Sequence, residues 1–441
     1  MLRFAAGRPT QATAIDDVTV ELAALRGGHV GRATTNALDD EALAACARRA
    51  EAAAEAAAAS SDGSYPGFPI PAAAPPAEGA FDADTARLDP ELGGGALRQI
   101  FAVAADAGVE AHGTWTVAEQ ERAVATTEGA IGERTTDAYA KVICIAPGGR
   151  SGYAAATASA AGGLDAAGLA ATAARKASES SLEAEALAGR AARVARGAGR
   201  LAELAPGEYP VVMEAHAVGL LIDLLGETAL NGLAHAEGRG ALADRLGEQV
   251  AAPAINLADS PRSRATLPRA FDAEGTPKRP LPLIQDGVAT GVAHDRRSAA
   301  LAGAESTGHA LTPGGDPHGP HPTNLVLAGG GARGLDELCA PIERGVYITR
   351  LWYANVVRPK ETLITAVTRD GTFLIEDGRI TRPLRDLRLT DGILRILSRT
   401  QALTAEQQLT SDGEFYGRRF AYGVVCPALR ASGVRFTGAA G

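Results

Sequence analysis

The sequence predicts an α+β fold in two parts: an N-terminal α+β domain with an internal strand–helix duplication, and a C-terminal domain of predominantly antiparallel strands with a few helices. Three observations predict it. A strand, a Gly-rich turn and an Ala-rich helix occur twice in the first half, and after Pro206-Gly207 the composition shifts to short strands and turns. The 441 residues are enough for two or three hydrophobic cores. We place the domains at 1–205 and 206–441.

The repeated unit begins at Gly28 and again at Gly149. Each copy has a strand, a Gly-rich turn, an Asp that can cap a helix, and an Ala-rich helix. The copies start more than 100 residues apart, so they indicate a duplicated half of one domain and not a solenoid. We expect one sheet covered by helices on one face. The predicted elements are strands within 17–25, 28–34, 122–128, 138–145 and 149–157, caps at Asp39 and Asp165, and helices at about 41–59 and 167–178.

Three further segments complete the N-terminal part. Residues 60–84 are rich in Pro, Gly, Ser and Ala, which predicts a surface loop inside the domain. A short helix is expected at 99–108. An Arg-, Glu- and Ala-rich helix at 183–204 ends the domain, because Pro206-Gly207 follows it.

Short strands and turns are predicted for the second part. Asp377-Gly378 is a hairpin signal between two of these strands. The tail at 423–437 is predicted as two strands around Pro427. The other predicted strands are 211–213, 254–258, 288–292, 324–328, 345–354, 363–368, 372–376 and 379–383, and the predicted helices are about 218–230, 334–343 and 390–399.

Composition excludes several classes of protein. The net charge is −9 with both signs interspersed, so no basic face for nucleic acid is indicated. Four cysteines lie far apart without a C-x-x-C pair, which argues against a disulfide framework and fits a reducing cytoplasm. No run of about 18 apolar residues predicts a membrane span, and the N-terminus lacks the pattern of a signal peptide. We expect a cytoplasmic protein.

The stretch from Val211 to Thr228 is a buried strand followed by a helix with polar groups, a common place for a hydrolytic metal site. Apolar residues recur at helical spacing in it, but a set of metal ligands is missing. Glu214 and His216 could form an acid–base pair. Since they alternate across the end of a strand, we expect them to point to opposite faces, which favours a structural role.

Other motifs favour ordinary structural interpretations. Residues 327–334 are Gly-rich but lack the Gly-Lys-Ser/Thr ending of a phosphate loop, so a tight turn into a helix is preferred. Ser151 is not in a G-x-S-x-G elbow. His309, His318 and His321 are weak candidates for a divalent-metal site, because their Gly- and Pro-rich segment has no rigid element and is more typical of a mobile polar loop.

Taken together, the order and spacing of many short motifs resemble the TldD/PmbA family over almost the whole chain, although the helix that usually opens that family's first domain is missing. The residues that carry the resemblance are Gly149–Tyr153, the helix after Asp165, Leu246–Val250, Phe271–Gly275, Ser306–Ala310, Thr323–Leu325, Glu343–Tyr347, Ile375–Gly378 and Pro427–Arg430.

The resemblance implies where a zinc site would lie. In the TldD branch a helix with His-Glu-x-x-x-His and a later cysteine hold zinc. When this motif is aligned with the present chain, its two His positions correspond to Asp223 and Thr228 and its Glu position to Leu224. The cysteine position falls near Tyr416. Leu224 matters most, because an aliphatic side chain cannot accept the proton of a zinc-bound water. Cys426 cannot replace the missing cysteine without a register shift.

The resemblance therefore implies a TldE-like subunit without catalytic, cofactor or metal residues of its own. Such a subunit pairs with a TldD-like metalloprotease as a heterodimer, with zinc in the partner, and the two cut unfolded or short peptides. The family matures peptide natural products or degrades small proteins. Two alternatives stay open. One is an autonomous metallopeptidase with a relocated site, and the other is a non-catalytic homodimeric peptide-binding protein. The relocated site would use some of Asp223, Glu227, His309, His318 and His321.

Overall fold

The computed structural model describes residues 1–60, 63–180, 201–411 and 419–439. Its helices are α1 (Asp40–Ala58), α2 (Pro90–Asp106), α3 (Ala166–Ser180), α4 (Ala215–Thr228), α5 (Gly232–Ala236), α6 (Arg296–Ala302), α7 (Leu335–Cys339) and α8 (Ile393–Ser398). Its strands are β1 (Leu2–Ala5), β2 (Arg8–Ala12), β3 (Val20–Arg26), β4 (His29–Thr35), β5 (Glu110–Thr126), β6 (Gly129–Ile145), β7 (Ser151–Ala158), β8 (Gly207–Met213), β9 (Leu257–Asp259), β10 (Leu281–Gln285), β11 (Val288–Ala289), β12 (Asn324–Leu327), β13 (Arg344–Arg358), β14 (Leu363–Glu376), β15 (Arg379–Pro383), β16 (Leu387–Gly392), β17 (Thr400–Thr410) and β18 (Gly423–Ala439).

Both copies of the repeated unit form a strand packed on a helix, β4 on α1 and β7 on α3. A Cβ on Gly31 would lie 2.1 Å from the Ala50 carbonyl oxygen, and one on Gly152 would lie 2.2 Å from that of Ala173. Only glycine allows the helix backbone to come so close to the strand. The predicted single sheet is wrong, however. β3 and β4 pair only with each other among the described strands, while β7 belongs to an antiparallel sheet of order β2-β1-β5-β6-β7.

Local signals set the N-terminal helices. The Asp39 carboxylate accepts a hydrogen bond from the Ala42 N–H at 2.9 Å, and Asp165 caps the turn before Gly168 at 2.8 Å, as predicted. Helix α2 is much longer than predicted. Its first turns contain three consecutive glycines, which weaken the helical signal. Gly93 is needed there because its Cβ would meet Leu2 at 2.7 Å and Trp115 at 3.1 Å.

Most of the helix predicted at 183–204 lies outside the described residues. Residues 201–204 are described and are not helical, and Ala202 forms a parallel bridge to Leu384. Two large apolar clusters form the main cores, one within 4–177 and the other within 211–436. The predicted boundary near residue 205 falls between them and stays a prediction.

The large C-terminal sheet is predominantly antiparallel, as predicted, but it is mixed, because two of its strand pairs are parallel. Strand β8 pairs in parallel with β13, and β12 pairs in parallel with β18. β8 also pairs with β18, so the path of paired strands closes on itself. The turn at Asp377-Gly378 is confirmed, with φ of 50° and 76°. β14 unites two predicted strands, and its positive φ at Asp370 and Gly371 explains the apparent break between them. Likewise β18 runs through Pro427 as one strand.

The segment 63–84 has no helix or strand, and it makes contacts with the C-terminal part of the chain. Tyr65 is buried, and its hydroxyl donates to the Glu274 carboxylate at 2.8 Å. The Arg262 guanidinium donates to the Pro75 carbonyl at 2.5 Å. This segment therefore attaches the N-terminal part to the C-terminal part. Within the described residues, no helix has the length and apolar character that crossing a membrane requires.

Candidate functional site

Helix α4 follows the central strand β8 and packs against β13 and β18. It begins at Ala215, three residues earlier than predicted, because Glu214 already has the extended backbone of an N-cap residue. The predicted apolar face is confirmed. The side chains of this face are fully buried, namely those of Val218, Leu221, Ile222 and Leu225. One face of α4 is thus fixed in the core, and Asp223 and Glu227 lie on the less buried side of the helix.

Asp223 projects from the less buried face of α4 and has two partners. One carboxylate oxygen lies 3.1 Å from His321 Nε2, and the other accepts a bond from the Tyr422 hydroxyl at 3.4 Å. The His321 and Tyr422 rings meet edge to face with centroids 5.9 Å apart. A Cβ on Gly226 would lie 2.7 Å from His321 Cε1, so glycine lets the imidazole rest on the helix. The structure therefore joins Asp223 to one of the weak histidine candidates.

The other two zinc-motif positions on α4, Leu224 and Thr228, offer no charged ligand to a metal. Leu224 packs against the C-terminal core. The Thr228 side chain is buried and its hydroxyl donates to the Leu224 carbonyl at 2.8 Å, within the helix. Tyr416 lies outside the described residues. The Cys426 thiol is buried against the Ala215 carbonyl at 3.2 Å, and burial raises its pKa to about 12, which keeps it a thiol.

The three histidine candidates do not converge. The His309 ring is buried, with Nδ1 at 2.8 Å from the Thr307 hydroxyl and Nε2 at 3.4 Å from Asp259. His318 is exposed. Their segment is packed, not a free polar loop: the His318 carbonyl accepts from Asn231 at 2.7 Å, for example. Among the described residues, no group of three His, Cys, Asp or Glu side chains is placed to hold a metal.

Glu214 and His216 both face the N-terminal part, so their predicted placement on opposite faces is wrong. The Glu214 carboxylate lies 2.7 Å from Lys176 Nζ and accepts the Tyr347 hydroxyl at 2.6 Å. His216 Nε2 lies 3.1 Å from the Ala155 carbonyl. Burial lowers the pKa of His216 to about 4, with the nearby ammonium adding to the effect. A neutral imidazole beside a paired carboxylate fits a structural contact between the two parts.

Two other motifs have ordinary structural roles. A Cβ on Gly329 or Gly330 would lie 2.6 Å from a carbonyl oxygen of β17, so these glycines permit close packing before the short helix α7. That is the predicted tight turn. The Ser151 hydroxyl donates to Asp370 at 2.5 Å, and Arg350 pairs with the same carboxylate, which makes Ser151 part of a contact between β7 and β14.

The sequence did not indicate a narrow crevice between β5 and the segment 261–323. Its lining includes the cations Arg122, Arg269 and Lys278 together with His309 and His321. We call it the Arg122–Arg269 crevice. A weak signal existed, because two segments of the family resemblance meet there: the Asp272 carboxylate accepts the Ala310 N–H at 3.0 Å. That signal does not include Arg122. The Arg122 guanidinium donates to the carbonyl of Phe271, which lies 149 residues away in the sequence.

A buried strand, β8, leads into helix α4, which packs on the mixed sheet and holds Asp223 beside His321. Residues 206–438 match the family model described as the PmbA/TldA metallopeptidase C-terminal domain, and residues 1–54 match PmbA/TldA metallopeptidase domain 1. The chain belongs to the PmbA/TldD metallopeptidase family. The resemblance inferred from the sequence is confirmed.

Relatives and a solved structure agree with this assignment. A metalloprotease of Methanothermobacter thermautotrophicus is 28% identical over 214 residues, 48% of this chain and 46% of that protein. The metalloprotease TldD homolog of Haemophilus influenzae is 26% identical over 208 residues, 46% and 42% of the two chains. The chain thus spans less than half the length of these relatives. TldE from Thermococcus kodakarensis superposes with a TM-score of 0.81 at 19% identity, covering 99% of this chain and 94% of that one, which shows a shared fold.

Proposed function

We propose that this chain is a TldE-like, zinc-free subunit of a heterodimeric metalloprotease that cleaves unfolded or short peptides. One observation carries the proposal. On α4, the position that the family resemblance gives to the general base is the aliphatic Leu224, which packs on the core. An alkyl group cannot accept a proton from water, whatever lies beside it.

The donor set on α4 also does not fit zinc. A catalytic zinc site needs three protein ligands and an open position. Asp223 supplies a carboxylate that already contacts His321 and Tyr422. The Thr228 hydroxyl is a neutral donor turned to its own helix. No hydrolytic step is therefore assigned to this chain, and we assign the zinc to a TldD-like partner.

The contribution of this chain is to bind and enclose the peptide. The likeness of its fold to TldE supports this role. Because both carboxylate oxygens of Asp223 already contact ring partners, we assign the surface around α4 to peptide binding and not to hydrolysis. The substrates are peptides without stable structure, as in peptide natural-product maturation or the degradation of small proteins. We place the complex in the cytoplasm.

Reconstitution tests the proposal. The chain is purified alone and together with a cognate TldD-like subunit, and cleavage of an unstructured fluorogenic peptide is measured with sizing of the complex. We expect no cleavage by the chain alone, chelator-sensitive cleavage by the pair, and a 1:1 complex. Chelator-sensitive cleavage by the chain alone at a rate comparable to that of the pair would refute the proposal.

One observation favours a second candidate, an autonomous metallopeptidase with a relocated site. Asp223 and His321 are two potential ligands already in contact, and Glu227 lies one helical turn away on α4. Metal analysis of the purified chain distinguishes this candidate from the zinc-free subunit. Stoichiometric zinc that is lost in His321→Ala would support this candidate, and zinc far below one per chain would remove it.

A further inference from the structure

The Arg122–Arg269 crevice concentrates positive charge where little water reaches. Arg122 comes from β5, whereas Arg269 and Lys278 come from the C-terminal part, and the last two are only 7% and 3% exposed. Arg122 lies over the Phe271 ring at 4.8 Å and Arg269 over the Phe420 ring at 4.5 Å. Burying cations together is costly unless each finds a partner.

The protein satisfies these cations only in part. Arg122 pairs with Glu133 at 2.7 Å, and Arg269 donates to the Ala421 carbonyl at 2.5 Å. Lys278 Nζ is 3.7 Å from Asp259. Within the described residues, the buried Nε atoms of both arginines have no hydrogen-bond partner. His309 Nε2 is different, because it faces an Asp259 oxygen at 3.4 Å that has no other hydrogen-bond partner in the described part of the chain. The Nε donors of Arg122 and Arg269 are thus left over in the crevice.

The acidic residue on the crevice wall does not absorb these donors. Asp272 accepts the Glu274 and Thr276 N–H groups at 2.9 Å on one oxygen and that of Ala310 at 3.0 Å on the other. Burial raises its pKa, and the three N–H groups act in the opposite direction. Conversely, burial lowers the pKa of Arg269 to about 10, and repulsion from Arg122 adds to the effect. Since Arg122 has Glu133 and Lys278 has Asp259, Arg269 is the crevice cation without a carboxylate in salt-bridge distance among the described residues.

We propose that the Arg122–Arg269 crevice binds a carboxylate group of the peptide substrate, either its C-terminal carboxylate or an acidic side chain. Guanidinium groups bind carboxylates through strong charge-assisted hydrogen bonds. His321 lines the crevice and also contacts Asp223, so a carboxylate held there places the adjoining peptide beside α4. This proposal rests on the proposed peptide-binding function.

Binding to the chain alone tests it without any catalysis. One fluorescent, unstructured peptide is made in three forms: a C-terminal acid, a C-terminal amide, and an amide with Asp as its last residue. Fluorescence anisotropy gives each Kd. We expect the acid to bind at least about tenfold tighter than the plain amide. The Asp-amide form identifies the source: affinity like the acid means that a side-chain carboxylate suffices, and affinity like the amide means that the terminus is recognised.

A substitution locates the effect. In Arg122→Gln we expect the acid and the amide to bind within about twofold of each other. Arg134→Gln is the matched control, since Arg134 lies on neighbouring strand β6, is half-exposed and pairs with Glu119. It should keep the discrimination, and thermal unfolding checks that both variants fold.

Three results would overturn the proposal: equal binding of acid and both amides, no binding of any form at 1 mM peptide (roughly the weak limit of specific recognition), or unchanged discrimination in Arg122→Gln. Displacement of the acid peptide by inorganic phosphate but not by acetate would also overturn it. None of these depends on cleavage. A reconstituted pair that cleaves peptides while this chain ignores the carboxylate removes only the carboxylate site.

Discussion

Two carboxylates on α4 have similar partners and different surroundings. Glu214, at the start of the helix, contacts an ammonium and accepts a tyrosine hydroxyl, and Asp223, in its middle, contacts an imidazole and accepts a tyrosine hydroxyl. The first pair is well covered, with Lys176 and Glu214 side chains 7% and 14% exposed. In the second pair, His321 and Asp223 are 19% and 28% exposed.

This difference in exposure distinguishes a pair that stabilises the fold from a pair that is available for function. The Lys176–Glu214 pair joins α3 of the N-terminal part to the C-terminal part, away from bulk water, where losing one partner leaves an uncompensated charge. The Asp223–His321 pair is reached by solvent at the position where the family resemblance puts a zinc ligand, and water can replace either partner. The buried pair should therefore govern stability, and the exposed pair should be dispensable for folding.

The largest effect is expected at the buried pair. Lys176→Met removes the cation and leaves the Glu214 carboxylate with hydroxyl donors only, so we expect a loss of about 2–4 kcal/mol in the free energy of unfolding. Urea unfolding followed by circular dichroism measures it. The double variant Lys176→Met/Glu214→Gln, which removes both charges, should recover part of the loss. A single variant as stable as the parent would show that this pair does not hold the two parts together.

A third carboxylate, Glu274, sharpens the comparison because it accepts a tyrosine hydroxyl without a salt bridge among the described residues. Burial raises its pKa to about 8, and the nearby Asp272 carboxyl adds to the shift. The folded protein thus holds a proton that the unfolded chain releases near pH 4.5, its ordinary value. Stability should fall as the pH rises from about 4.5 to about 8, by at most roughly 1.4 kcal/mol per pH unit, and level off above.

Glu274→Gln checks this expectation, since the amide resembles the protonated carboxyl and cannot titrate. Unfolding free energies at pH 5.5, 7 and 8.5 should show a weaker fall in the variant than in the parent protein. Glu248→Gln, at an exposed position, is the control and should keep the parent's slope. Equal slopes in all three proteins would mean that Glu274 is ionised in the fold throughout this range.

The sequence predicted the features that depend on residues close together in the chain. The caps Asp39 and Asp165, the apolar face of α4 and the turn at Asp377-Gly378 each depend on a few neighbouring side chains. The start of α2 escaped prediction because its glycines have weak helix propensity, and the packing that stabilises them, against Trp115, is distant in sequence. The parallel strand pairs escaped for the same reason, since local patterns do not encode strand order.

The candidate site likewise has one part that the sequence predicted and another part that it did not. The family resemblance assigned Asp223, Leu224 and Thr228, and their spacing on a helix needed no tertiary information. The partner of Asp223 could not be derived, because His321 is 98 residues away and only the packing at Gly226 brings it to the helix. The Arg122–Arg269 crevice requires contacts between the two parts of the chain, which no local pattern contains.

The smallest effect is expected at the exposed pair. Asp223→Asn removes the carboxylate charge but keeps the shape, and charged groups that water reaches contribute about 0–1 kcal/mol, so we expect a change in unfolding free energy within that range. Glu227→Gln, one turn further along α4 and exposed, is the matched control with no expected effect. Because water and salt screen this pair, any difference between Asp223→Asn and the parent should shrink at high salt. A loss as large as that of Lys176→Met would mean that Asp223 is a structural residue like Glu214, and the contrast between the start and the middle of α4 would disappear.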